Sequence, residues 1–181
     1  MQRYAKSEDF EKTTVQLINR LKAKVASEEE FTTRFCEISY SPETVARIAY
    51  IFDRLSNAGV APGERILIFS PDLGTKRRNY NIEHFLPKAN ADQEPVDVVD
   101  NIGNLLLISF RTNSSLGNLS PSDKLKKLNG DLLKKIQNLD HVRTFIHKYG
   151  DRIRVTWGKS EIEQRARDLA AEAYEKIWKI N

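Results

Sequence analysis

NYNIEHFLPKANADQEPVDVVDNIGNLLLISFRTN, residues 79–113, decides how this chain is read. It sets His84, one of only three histidines, directly behind a carboxylate, Glu83. Asn104 follows that histidine by 20 residues, and Asn113 follows Asn104 by nine. The run into the Glu-His pair is strand-like, and Pro87, which has no amide hydrogen to give a ladder, marks its end. LLLI at 105–108 is a short apolar run with the length of a strand, and no apolar run in the chain approaches a membrane span. Segments 80–87 and 104–109 are therefore expected to form or flank a small antiparallel pair, with a helix carrying Asn113 packed across it.

The flanks read as helices. Phe10, Leu17, Leu21 and Val25 recur on one face after Ser7, a candidate N-cap. Ser27 with Glu30 is a capping-box pattern. Ser41 can cap a third helix, with Pro42 in its first turn and Val45, Ile48, Ala49, Phe52 and Leu55 as its stripe; Gly59 ends it. ERILIFS at 64–70 reads as a strand or a buried helical turn. After the central stretch come short amphipathic pieces broken at Gly130 and Gly150. A last helix opens with Ser160 and Glu163 as a capping box and turns Ile162, Ala166, Leu169, Ala173 and Ile177 inward. The expectation is an α+β, mostly helical chain, one domain over 1–181. It comprises a helical lead-in over 1–60, a central core over 76–128 and a helical closing segment over 129–181.

Composition limits the function. Apolar residues make up 40% and charged residues 30%, which suits a core-forming domain rather than a disordered chain. A single cysteine, Cys36, rules out an intrachain disulfide and a thiolate-rich zinc site, and fits a reducing, cytoplasmic setting. The net charge of +4 permits nucleic acid as a partner without arguing strongly for it. Taken alone, each Lys/Arg cluster reads as a solvated helix face. His141 and His147 read as surface or boundary residues, and Cys36, Trp157 and Trp178 as packing.

A neutral imidazole can take a proton from water near neutral pH. A carboxylate and an amide oxygen are hard ligands suited to Mg²⁺ or Mn²⁺. Those residue types permit one-metal phosphodiester hydrolysis; an exposed Glu-His ion pair is the bland alternative.

The spacing goes further. IEHFLP followed by IGNLLLISFRTN resembles the HNH, or His-Me finger, nuclease motif with its ββα-metal fold. EHFLPK, IGNLLLI, Asn113 and Lys124 resemble more closely the C-terminal domain of GmrSD-type restriction endonucleases. The segments at 31–55 and 156–178 resemble the helices on either side of that family's site. The resemblance implies a metal-dependent DNA endonuclease of a restriction or anti-phage system. It implies His84 as general base, Glu83 and Asn113 as ligands of one Mg²⁺ or Mn²⁺, and Asn104 as the residue that fixes the loop orienting His84. Lys124 would lie near the substrate phosphate, and Arg78, Lys88 and Arg111 are further cations near the motif. Glu83 and His84 are neighbours, so a regular strand would send them to opposite faces. One shared site requires the strand to end or bulge there.

The departures are Lys88 for the usual Gln, LLL for LTL, and a short acidic loop at 88–101. The partners implied are DNA, modified phage DNA included, and the family's N-terminal sensor domain; no membrane is implied. Scattered Lys and Arg grip phosphates without reading sequence, so low sequence preference and steep salt dependence are expected. The alternative function is a non-catalytic DNA-binding or interaction module that keeps a nuclease fold.

Overall fold

A computed structural model describes residues 7–65, 80–90 and 94–179. In chain order the helices are α1 (Ser7–Lys22), α2 (Glu28–Cys36) and α3 (Val45–Asn57) before strand β1 (Tyr80–His84). A short helix α4 (Val96–Val99) then leads to strand β2 (Leu105–Ser109), followed by α5 (Phe110–Leu116), α6 (Pro121–Asn129), α7 (Leu133–Ile136), α8 (Asp140–Val155) and α9 (Lys159–Ala173). A π-helical turn, Tyr174–Trp178, ends the described chain. Most of 64–70, and Lys76, Arg77 and Arg78, lie outside the described residues.

The two strands pair antiparallel from Tyr80↔Ser109 to His84↔Leu105. A two-stranded sheet is marginal in water, and here helices cover both of its faces. Ile82, Leu105 and Leu107 join Ile48, Phe52, Leu55 and Leu169 in one apolar cluster. Leu106 and Ile108 join Phe85, Leu116, Leu125, Leu128, Val142, Phe145 and Trp157 in the other. The sheet is thus a partition between two helical layers. That is why its second strand is uniformly apolar instead of alternating.

The outer edge of β2 is closed by side chains. The Leu107 N–H donates to His141 Nε2 (3.2 Å), and Arg165 Nη1 donates to the carbonyls of Gly103 (2.7 Å) and Leu105 (2.8 Å). This removes the open edge that would otherwise invite pairing with another chain. Arg165 is buried, with its guanidinium 4.4 Å from the Phe145 ring centre. Gly103 is required where α9 crosses: a Cβ there would stand 2.0 Å from the Ile162 carbonyl oxygen.

His141 is therefore a core residue, not a surface or boundary one. A backbone N–H can only donate, so Nε2 accepts, and Nδ1 carries the hydrogen that goes to Ser56 Oγ (2.6 Å). Burial, helped by the nearby Arg165 charge, pulls its pKa down to about 3. The sign of the pH effect follows. An unfolded histidine titrates at about 6.5, so below that pH the unfolded state takes a proton that the fold refuses. Stability is complete above this range and falls as pH drops toward 3, by up to about 1.4 kcal/mol per pH unit. Urea unfolding between pH 7 and 5 should show this slope. His84 also titrates below its usual range, so the informative comparison is His141→Gln, which should flatten the curve. An unchanged slope would contradict the assignment.

Several helix ends differ from the sequence reading. α3 begins at Val45, because Ser41 and Thr44 bond each other's backbone in a turn over 41–44. α8 runs through Gly150, where α6 approaches and Leu125 Cδ1 would lie 4.0 Å from a Cβ. α9 starts at Lys159, with the Glu161 carboxylate accepting from the Gly158 N–H (3.1 Å). The Ser27 cap is present, accepting from Glu30 N (3.1 Å). The stripe of α1 is not core: Phe10, Leu17 and Leu21 are 70%, 56% and 45% exposed. The pattern encodes an amphipathic helix, but nothing in the pattern says what covers it.

Candidate active site

His84 is the last residue of β1, and its surroundings are set by Asn104. The ladder continues one step beyond the strands, with Phe85 N–H donating to the Asn104 carbonyl (2.9 Å). The chain then bends through Leu86 and Pro87, both buried. The buried Asn104 side chain holds that bend. Its Oδ1 accepts from Leu86 N (2.8 Å) and Trp157 Nε1 (3.1 Å), and its Nδ2 donates to the carbonyls of Leu86 (2.9 Å) and Val99 (2.8 Å). One amide thus ties the end of β1, the end of α4 and the start of α9 together. It does not touch the imidazole; it fixes the backbone that carries it.

His84 Nε2 lies 2.7 Å from Asp100 Oδ1. An ionised carboxylate only accepts, so Nε2 carries the hydrogen, and the neutral ring keeps its lone pair on Nδ1. Nδ1 has no hydrogen-bond partner among the described residues. Lys88 Nζ also reaches Asp100 (2.7 Å to Oδ1, 3.0 Å to Oδ2) and stands 5.4 Å from the centre of the Tyr40 ring. Tyr40 packs edge-on to the imidazole, with ring centres 4.9 Å apart. Burial pulls the His84 pKa down; the Asp100 hydrogen bond and charge oppose that, and Lys88 and Lys124 add to it. The net direction favours a neutral ring near pH 7.

Asp100 and Tyr40 arrive from distant sequence. Residues 38–40 run beside 100–102: Ser39 bridges Asn101, Tyr40 N–H donates to the Asp100 carbonyl (2.8 Å), and Ile102 N–H donates to the Ile38 carbonyl (2.9 Å). Neither residue stands out in the sequence, where Asp100 is one of several acids in a loop. The faint signal is its position immediately before the pattern that ends in Asn104.

Glu83 leaves the strand on the other face. It pairs with Leu106, which belongs to the cluster containing Leu116 and Leu125, whereas His84 pairs with Leu105 of the opposite cluster. The strand is regular through His84, with no bulge, so the two neighbouring side chains meet different partners. Glu83 is buried and bonded by Lys124: Nζ stands 2.5 Å from Glu83 Oε1 and 2.7 Å from the His84 carbonyl. Lys124 is fully buried, on the face of α6 that carries Leu125 and Leu128. Burial pushes the Glu83 carboxyl up and the Lys124 ammonium down, and their contact works against both shifts.

Asn113 lies in the middle of α5, the helix that follows β2 and is capped by Ser109 accepting from Thr112 N (3.2 Å). It is half-buried, and its side-chain amide has no partner among the described residues. Arg111 is exposed on the same helix and Lys88 is half-exposed; Arg78 lies outside the described residues. The structure thus brings Asp100, Lys88 and Tyr40 to His84, and Lys124 to Glu83, but it does not bring the Glu83 and His84 side chains together. Among the described residues no cluster of three His, Cys, Asp or Glu could hold a metal. A carboxylate and an amide oxygen are hard donors of the kind Mg²⁺ takes, with waters and substrate phosphate oxygens completing its shell.

A family model described as GmrSD restriction endonucleases, C-terminal domain, matches residues 25–172. No curated protein and no solved structure matches the chain. Among the described residues no helix is long and apolar enough to cross a membrane.

Proposed function

The chain belongs to the family of C-terminal domains of GmrSD restriction endonucleases, and from that premise we propose that it is a metal-dependent HNH-type endonuclease that hydrolyses DNA phosphodiester bonds in restriction of foreign DNA. The observation that supports this best is the imidazole of His84, tied through Nε2 to Asp100 and with no partner at Nδ1 among the described residues. Nδ1 takes a proton from water as the water oxygen bonds to phosphorus and one ester oxygen leaves. Asp100 keeps the ring in the required tautomer and stabilises the imidazolium that forms. The leaving oxygen takes its proton from solvent.

A divalent ion, when bound, stabilises charge on the phosphoryl and leaving oxygens. By the family resemblance Glu83 and Asn113 are the residues that would hold it: their oxygens are hard donors, Asn113 has no side-chain partner among the described residues, and Glu83 would have to leave Lys124 to share a site with His84. Lys88, Arg111 and Arg78 are the proposed phosphate contacts; Lys124, expected near the phosphate, is instead buried against Glu83. Contacts of that kind position DNA without reading its sequence, so modification sensing is assigned to an N-terminal part of the full-length family protein.

Asp100→Asn tests the role of the pair. Asp100 raises the His84 pKa against burial, so losing the carboxylate lowers it further. The rate of plasmid cleavage at neutral pH should fall on the order of 10- to 10²-fold, and the acid limb of the pH–rate profile should move to lower pH. A lower rate with the limb unmoved would make Asp100 merely structural.

A further inference from the structure

The buried Lys124 takes no part in the chemistry above, yet its position bears on it. Two oxygens, Glu83 Oε1 and the His84 carbonyl, converge on its ammonium at 2.5 and 2.7 Å. A carboxylate and a backbone carbonyl aimed at one point form a seat for a cation. The cation there is covalently tethered, and the side chain behind it is fully buried. We infer that in the free domain the Lys124 ammonium fills the cation seat of Glu83, and that a divalent ion gains Glu83 only by displacing it. This rests on the reading of Glu83 as a metal ligand.

The physical consequence is competition. A divalent ion approaching Glu83 meets a carboxylate whose charge is already balanced. Taking it strands a buried ammonium, and an unpartnered buried charge is strongly unfavourable. The free domain should therefore bind Mg²⁺ or Mn²⁺ weakly. A neutral side chain of similar length at 124 should bind it more tightly.

The test is Mn²⁺ binding followed by electron paramagnetic resonance at several matched pH values from neutral upward, because burial raises the Glu83 carboxyl and removing Lys124 takes away the charge that opposes this. Lys124→Met should raise the affinity between about ten- and a thousandfold, from the removal of one positive charge beside the ligand. Equal or weaker binding by a folded Lys124→Met protein overturns the inference. Should that variant not fold, the wild-type protein carries the test. Mg²⁺ is titrated while the Asn113 side-chain amide and the Lys124 ammonium are observed by nitrogen-15 NMR. The two signals should shift together. Saturation of the Asn113 shift with the Lys124 signal unmoved overturns the inference, as does an Asn113 amide that never responds. Plasmid cleavage on the same samples separates the two readings. Cleavage with Lys124 unmoved sinks only the competition; exchange of Lys124 without cleavage under any condition sinks only the nuclease.

Discussion

His84→Ala should lose cleavage by roughly 10²- to 10⁴-fold, the usual range for removal of a general base, while remaining folded. The side chain is 15% exposed and touches mainly the Tyr40 ring and Asp100. Its removal leaves Asp100 still paired with Lys88 (2.7 Å) and Asn104 with all its bonds intact. The stability cost should therefore stay within about 1–2 kcal/mol, and DNA affinity should hardly change. Single-turnover cleavage, a urea denaturation curve and a filter-binding isotherm, taken on one preparation, separate these effects. A folded, DNA-binding His84→Ala protein that cuts at the wild-type rate would remove His84 from the chemistry.

Asn104→Ala should act on the fold itself. The substitution abandons two N–H donors, on Leu86 and Trp157, and two carbonyls, on Leu86 and Val99, all served by one buried amide. Each orphaned buried group costs about 1–3 kcal/mol, so the total is at least about 4 kcal/mol. That is comparable to the whole stability of an ordinary domain. Loss of a cooperative unfolding transition is expected, together with loss of near-ultraviolet dichroism from Trp157. Asn104→Asp offers no rescue: it keeps the acceptor but loses both donors and buries a charge. A destabilisation of Asn104→Ala below about 1 kcal/mol would show that the clamp is dispensable.

The contrast between His84, Asn104 and Asn113 on one side and the residues around them on the other shows what the sequence could carry. The strand pair and the helix bearing Asn113 were readable because a proline, an apolar run and a nine-residue spacing are local signals. Asp100 was not, since its approach to His84 depends on 38–40 lying beside 100–102, a long-range register with no local pattern. Lys124 sits in a lysine-rich run that looks solvated; helix phase buries one of its ammonium groups and leaves Lys126 and Lys127 outside. His141 did carry a signal, for His141, Phe145 and Tyr149 repeat every four residues on the buried face of α8. The opposite error occurred at α1, whose stripe is real but stays exposed.

The most direct test is incubation of the purified chain with supercoiled plasmid in Mg²⁺, in Mn²⁺ and in EDTA, with products resolved on an agarose gel. Nicked or linear DNA should accumulate with either ion and stop when the chelator is in excess. Intact plasmid in every lane with folded protein, or cleavage indifferent to EDTA, would contradict a metal-dependent nuclease.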